Sequence, residues 1–173
     1  VEFVEEPRVI DVGGVQTRIV LDRVDRLADG TFAVIDYKTG ASAKPAAWMG
    51  ERPELPQLPL YVRAIGQEQV SAVAFGVVCT GSTEYRGFAR DGEVFPQLKP
   101  FDAASAPFKD YASWADLLQA WNRRLESLAR EHAQGDARLA PNPARACRYC
   151  HLRGVCRSAQ ALMEPEEGDD AAG

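Results

Sequence analysis

Between residues 15 and 26 apolar and polar positions alternate, and Val, Ile and Leu dominate the apolar set, which predicts a strand. Ala28-Asp29-Gly30 is a turn signal, and residues 31–38, rich in β-formers, predict the returning strand. Residues 39–53, with Gly, Pro and Ala, read as a loop. Residues 55–65 predict a short helix closed by Gly66. Pro56 sits near its start, and Pro59 is tolerated only in or near the first turn. Residues 70–79 and 83–90 predict two more strands around Thr80-Gly81-Ser82, whereas 91–110 carry no clear period. The strongest pattern is Trp114, Leu117, Leu118, Trp121, Leu125 and Leu128, whose spacing predicts a helix over 114–132. Ser113 is its N-cap, Asp116 the acidic capping partner and Gly135 the stop. No element is predicted before residue 15.

Strands interleaved with two helices predict an α/β fold, with a central mixed sheet that begins with the 15–38 hairpin and is flanked by helices. We expect a core over residues 1–140, a Cys-cluster segment over 141–162 and a disordered acidic tail over 163–173.

The hairpin carries the first candidate chemistry. Residues two apart on a strand share a face, so Phe32, Val34, Asp36 and Lys38 lie together. A three-residue loop Ala28-Asp29-Gly30, left-handed at Gly30, pairs Leu27 with Thr31 and, counting outward, Asp22 with Asp36. A two-residue Asp29-Gly30 turn instead pairs Asp22 with Tyr37 and sends the acids to opposite faces. Only the first register creates a conflict that needs a cation: carboxylates about 5 Å apart repel unless one takes a proton or a metal lies between them. Oxygen ligands with room for water suit Mg²⁺ or Mn²⁺. Lys38 then adds a positive charge suited to phosphodiester hydrolysis, orienting the attacking water or stabilising charge on phosphorus. Charged strand residues are ordinarily just exposed, but the apolar neighbours Phe32 and Val34 argue for a partly buried site. Asp25 is a candidate second ligand, though a structural ion pair explains it better.

Composition changes this picture little. The chain has 173 residues, 46% hydrophobic and 26% charged, as soluble globular proteins do. No apolar run is long enough to span a bilayer and no signal peptide opens the chain, so the expectation is a cytoplasmic protein without membrane partners. Net charge is −5, but residues 164–173 hold five acids and no base, so the body is balanced. Phosphate binding must then come from local clusters of base. The chain begins without Met, and the expectation is a fragment whose upstream part is missing.

Leu21-Asp22-Arg23-Val24-Asp25-Arg26, followed by Val34-Ile35-Asp36-Tyr37-Lys38-Thr39-Gly40, resembles motifs II and III of the PD-(D/E)xK nuclease superfamily, most closely its RecB/AddB-type branch. That branch often has Gly three residues before the first aspartate, where this chain has Ile19. The resemblance implies a restriction-endonuclease-like core with Asp22 and Asp36 as metal ligands, the Tyr37 backbone carbonyl as a third, and Lys38 as the catalytic lysine. Gln57-Leu58-Pro59-Leu60-Tyr61 is similar to the branch's Gln-x-x-x-Tyr motif. On a helix Gln57 and Tyr61 share a face and would point together at the site or the DNA. Arg52, just before, is either a phosphate contact or an exposed loop residue. The implied activity is a Mg- or Mn-dependent deoxyribonuclease of DNA repair or recombination, an exonuclease, with DNA and a helicase subunit or domain as partners. The alternative is a catalytically silent DNA-binding or scaffold domain of a helicase–nuclease complex. The family's N-terminal helix, often bearing a His or Glu that assists metal binding, has no counterpart before residue 15.

Of four cysteines, Cys147, Cys150 and Cys156 crowd into ten residues as C-x2-C-x5-C. Such spacing suits a metal or cluster better than disulfides in a reducing compartment. Zinc and [4Fe–4S] both want four ligands, and this segment offers three. The resemblance implies a [4Fe–4S] cluster, as AddB-type and CRISPR adaptation nucleases hold with one further Cys far upstream. Cys79, ending an apolar strand, reads as a small buried hydrophobe, and His151 as a weak stand-in ligand for zinc. Arg145, Arg148, Arg153 and Arg157 surround the cysteines as a basic patch or a solvated loop.

Overall fold

The computed structural model describes residues 1–40, 43–136, 138 and 150–156. The chain divides into two units, Val1–Gly135 and Asp136–Gly173. Among the described residues of the first, six strands form one sheet in sequence order: β1 (Phe3–Val12), β2 (Val15–Arg26), β3 (Phe32–Lys38), β4 (Val70–Cys79), β5 (Ser82–Ala89) and β6 (Lys99–Pro100). Neighbours are antiparallel except β3 with β4 and β5 with β6, so the sheet is mixed. The parallel step from β3 to β4 requires a crossover, and helix α1 (Gln57–Ile65) supplies it.

β1 was not legible in the pattern. It pairs with β2 across Gly13-Gly14, and much of it faces solvent: Val4 is 60% and Val9 66% exposed. One face packs partly on the core through Phe3, Ile10 and Val12, but along the sequence Glu5-Glu6-Pro7 and the adjacent Val9-Ile10 break the apolar–polar alternation. The Gly-Gly dipeptide between two β-rich runs was the signal to use.

Helix α2 (Trp114–Ala133) ends one residue beyond its expected limit. Ser113 caps it: its Oγ accepts the Asp116 N–H at 3.1 Å and its hydroxyl donates to the Asp116 carboxylate at 2.7 Å. Pro59 lies in the first turn of α1, where its missing N–H costs nothing. Both helices cover the same sheet face. Leu58, Tyr61 and Val62 of α1 and Trp114, Leu117, Leu118 and Trp121 of α2 share one core with Val24, Val34, Val73 and Phe75. The opposite face carries Ala33, Ala72, Ala74 and Ala89, roofed by Phe95 and Leu98 with Leu27, Tyr85 and Val94 packed against them.

The loop expected over 39–53 holds a short 3-10 turn, Pro45–Trp48. Trp48 is buried there against Phe75 at 5.0 Å, Trp121 at 5.8 Å and Phe108 at 6.2 Å between ring centroids. Tilted and edge contacts of this kind add about 0.5–1.5 kcal/mol each beyond burial. They anchor the segment leading into α1. Arg52 is engaged by Glu131 of α2 at 2.6 Å, so it acts as a tether between loop and helix. Arg63 of α1 donates to the Asp11 carbonyl at 2.8 Å and to Glu126 of α2 at 2.9 Å, locking the helix over the sheet.

In the second unit, α3 (Arg153–Cys156) is one turn long. The Leu152 N–H donates to Cys150 Sγ at 3.4 Å, and Cys150 and Cys156 are free and half-buried. Cys147, Arg145, Arg148, Arg157 and the tail 163–173 lie outside the described residues. Among the described residues no helix is long and apolar enough to cross a membrane.

Candidate active site

The turn settles which hairpin register forms. Gly30 is left-handed (φ 84°), its N–H donates to the Leu27 carbonyl at 3.0 Å, and the Leu27 N–H donates to Thr31 at 2.8 Å. The three-residue loop therefore closes the hairpin. The ladder runs Arg26↔Phe32, Asp25↔Ala33, Val24↔Val34 and Arg23↔Ile35, and its next step sets Asp22 against Asp36.

At that step the strands part. Antiparallel pairs exchange both backbone bonds at every second position. Counting from Leu27/Thr31, the Tyr37 N–H is due to donate to the Leu21 carbonyl. It donates instead to Asp22 Oδ2 at 2.9 Å. A side-chain carboxylate thus replaces a strand carbonyl.

Around this gap five of the expected residues gather. Asp36 is 1% exposed, and Lys38 Nζ lies 2.6 Å from its Oδ2 as an ion pair. Beside this ion pair, neither buried Asp36 oxygen has a hydrogen-bond partner of regular geometry among the described residues. The Lys38 ammonium donates to Gln57 Oε1 at 2.7 Å. The Tyr61 hydroxyl donates to Asp22 Oδ1 at 3.3 Å. Gln57 and Tyr61 thus reach the site from one helix face, as i and i+4 neighbours do. Exposure grades from Asp36 and Tyr61 at the floor, through Lys38, to Gln57 at the mouth.

Burial is the main electrostatic force here. It pushes the Asp36 carboxyl up to about 6; the Lys38 charge opposes the shift and the Asp22 charge adds to it. Burial, reinforced by the charges of Asp22 and Asp36, likewise raises the Tyr61 hydroxyl, which stays protonated as a donor. Phe75, next to Asp36 in the parallel register, forms the apolar floor, with Lys38 Nζ 5.8 Å from its ring centre. Its part in drying the site was invisible in the sequence, because β4 is apolar throughout.

Other candidates are spent elsewhere. Asp25 is held by Arg23 through two bonds of 2.8 and 2.7 Å, a structural pair. Cys79 is half-buried, with Sγ 3.7 Å from the Thr39 carbonyl. His151 is exposed. The Tyr37 side chain projects to the opposite sheet face, where Arg23 donates to its hydroxyl at 3.0 Å, so only its backbone belongs to the gap.

A family model described as the PD-(D/E)XK nuclease superfamily matches residues 2–157. The chain belongs to this superfamily. No curated protein and no solved structure matches the chain. PD-(D/E)XK nucleases are metal-dependent and use divalent ions such as Mg²⁺ or Mn²⁺, and the mixed six-stranded sheet is of the restriction-endonuclease-like type.

The donor set fits such an ion. The Asp36 carboxylate, buried with the Lys38 ammonium at one oxygen and no hydrogen bond among the described residues, leaves its other oxygen to gain from a second cation. Among the described residues no cluster of three His, Cys, Asp or Glu side chains could hold a metal. A pair of carboxylates that leaves the remaining positions to water, backbone and phosphate suits a hard ion such as Mg²⁺.

Proposed function

We propose that this PD-(D/E)XK domain is a Mg²⁺- or Mn²⁺-dependent deoxyribonuclease of the RecB/AddB type, acting as an exonuclease in DNA repair or recombination beside a helicase subunit or domain. The observation that carries the proposal is the buried Asp36 carboxylate, without hydrogen bonds, set against Asp22 and Lys38 where the hairpin opens. Asp22, Asp36 and the Tyr37 carbonyl would hold the ion. In an antiparallel strand a residue's N–H and C=O point to the same side, so the Tyr37 carbonyl faces the gap with its N–H. When bound, the ion supplies Lewis-acid polarisation of the phosphoryl oxygen and a more acidic water. Lys38 orients the nucleophilic water and stabilises charge developing on phosphate. Gln57 holds the Lys38 ammonium in line, and Tyr61 fixes one Asp22 oxygen so that the carboxylate cannot rotate away.

The test is digestion of linear and circular DNA, single- and double-stranded, with Mg²⁺ or Mn²⁺. Absence of metal-dependent cleavage on every substrate would sink the nuclease proposal in favour of a DNA-binding scaffold. Cleavage of covalently closed circles would remove the exonuclease part. Gln57→Ala frees the Lys38 ammonium from a charge-assisted hydrogen bond, and cleavage should fall about tenfold, chiefly in kcat. A change confined to KM would move Gln57 from positioning Lys38 to binding DNA.

We further propose that Cys147, Cys150 and Cys156 ligate a [4Fe–4S] cluster, with a fourth ligand from elsewhere in the complete protein. Three thiolates within ten residues support this, because a short loop can wrap one centre. Anaerobically purified protein should carry iron and sulfide with a broad visible absorbance lost in Cys150→Ser. Stoichiometric zinc without iron would replace the cluster by a zinc site.

A further inference from the structure

On the sheet face opposite the carboxylates, Tyr37 of β3, Gly76 of β4 and Tyr85 of β5 stand in one row across three strands. The row borders a groove of about 690 Å³ also lined by Val78, Thr83 and Gln97, a size that takes a small planar ligand. Gly76 is what lets the Tyr37 ring lie down on the sheet. A Cβ there would sit 2.8 Å from Tyr37 Cδ1 and 2.9 Å from Cε1. The ring is also held from behind. Arg23 donates to the Tyr37 hydroxyl at 3.0 Å and is itself clamped by both Asp25 oxygens. Tyr85 is braced edge-on by Phe95 at 5.3 Å. Tyr37 nevertheless remains 43% exposed. A large aromatic ring fixed in orientation and left open is a stacking platform rather than core.

We infer that the Tyr37–Gly76–Tyr85 groove stacks an unpaired nucleobase of a DNA strand. This rests on the nuclease proposal for its choice of ligand, since Tyr37 directly follows Asp36 and both groups occupy the same strand end. A single strand that wraps this strand end, with a phosphate on the Asp36 face, would set a flanking base over the Tyr37 ring on the other face. Thr83 and Gln97 offer a hydroxyl and an amide to the base edge without selecting one base, because each can donate or accept. Base stacking on aromatic side chains is sequence-tolerant and strong enough to register in affinity.

The experiment measures anisotropy of a labelled single-stranded oligonucleotide on full-length Asp36→Asn protein, where strand cutting is suppressed. Tyr37→Ala and Tyr85→Ala should each weaken binding about tenfold, while Tyr37→Phe, which keeps the ring, stays close to the parent. An oligonucleotide carrying 5-bromouracil, irradiated on otherwise unaltered protein, should leave a nucleotide adduct on Tyr37 or Tyr85 by mass spectrometry. This second arm decides the matter if the alanine variants misfold. Adducts elsewhere only, or unchanged affinity in both folded alanine variants, overturn the site. The two proposals fail separately: adducts at these tyrosines without metal-dependent cleavage sink the nuclease alone, and cleavage without adducts sinks the groove alone.

Discussion

Asp36→Asn is expected to lower DNA cleavage by about a thousandfold or more while leaving the fold intact, because metal-based charge stabilisation is worth several kcal/mol. The substitution keeps the shape of the side chain and removes one charge. Asp36 is the most buried group of the site, and both its oxygens lack hydrogen bonds. Calorimetric titration with Mn²⁺ should show the loss directly. Lys38→Ala should separate from it: Mn²⁺ still binds, because Asp22 and Asp36 remain, yet cleavage falls by about a hundredfold when the positioned cation is gone. An Asp36→Asn protein that cuts at the parental rate would remove this carboxylate from the chemistry.

The same substitution should stabilise the metal-free protein. A carboxyl whose folded value is raised to about 6 resists ionisation in the native state, so at pH 8 the ionised side chain weakens the fold. The difference from the ordinary aspartate value is worth about 2–3 kcal/mol, at roughly 1.4 kcal/mol per unit. The sign follows from linkage. Stability from this group is fully present below the unfolded value and is lost as pH rises through 6. Asp36→Asn should therefore raise the urea midpoint in EDTA at pH 8, and the gain should vanish near pH 4. Saturating Mn²⁺ should reverse the ranking, because only the parent binds the ion well and is stabilised by mass action. Equal midpoints in EDTA at both pH values would show that Asp36 is not held at a cost.

These two effects share a cause that the sequence disclosed only in part. The hairpin was legible because turn chemistry is local: Gly30 alone can take the left-handed position, and that choice fixes Asp22 opposite Asp36. The Gln57 and Tyr61 spacing was legible because helix geometry puts i and i+4 on one face. What escaped depends on packing between distant segments. Trp48 lies in a stretch without periodicity, and its burial against Phe75 and Trp121 comes from partners far along the chain. β1 escaped because Glu5-Glu6-Pro7 and the adjacent Val9-Ile10 break its apolar–polar alternation. The expectation that helices flank the sheet gave no hint that α1 and α2 share one face. Strand alternation, by contrast, did put the Tyr37 ring on the face away from Asp36 and Lys38.

The hand-over of the Tyr37 amide from a strand carbonyl to the Asp22 carboxylate has a consequence for how genetics at this site should be interpreted. Asp22 is both a charge and a mortise joint of the β-hairpin. An alanine there deletes an anion and also unpins the amide beside Asp36, so its phenotype mixes lost chemistry with a frayed joint. Asparagine keeps an oxygen for the amide and isolates the charge. Position 22 is therefore the place where alanine and asparagine alleles should diverge, and position 36, whose carboxylate pairs with the Lys38 ammonium but pins no backbone amide, is where they should agree more closely.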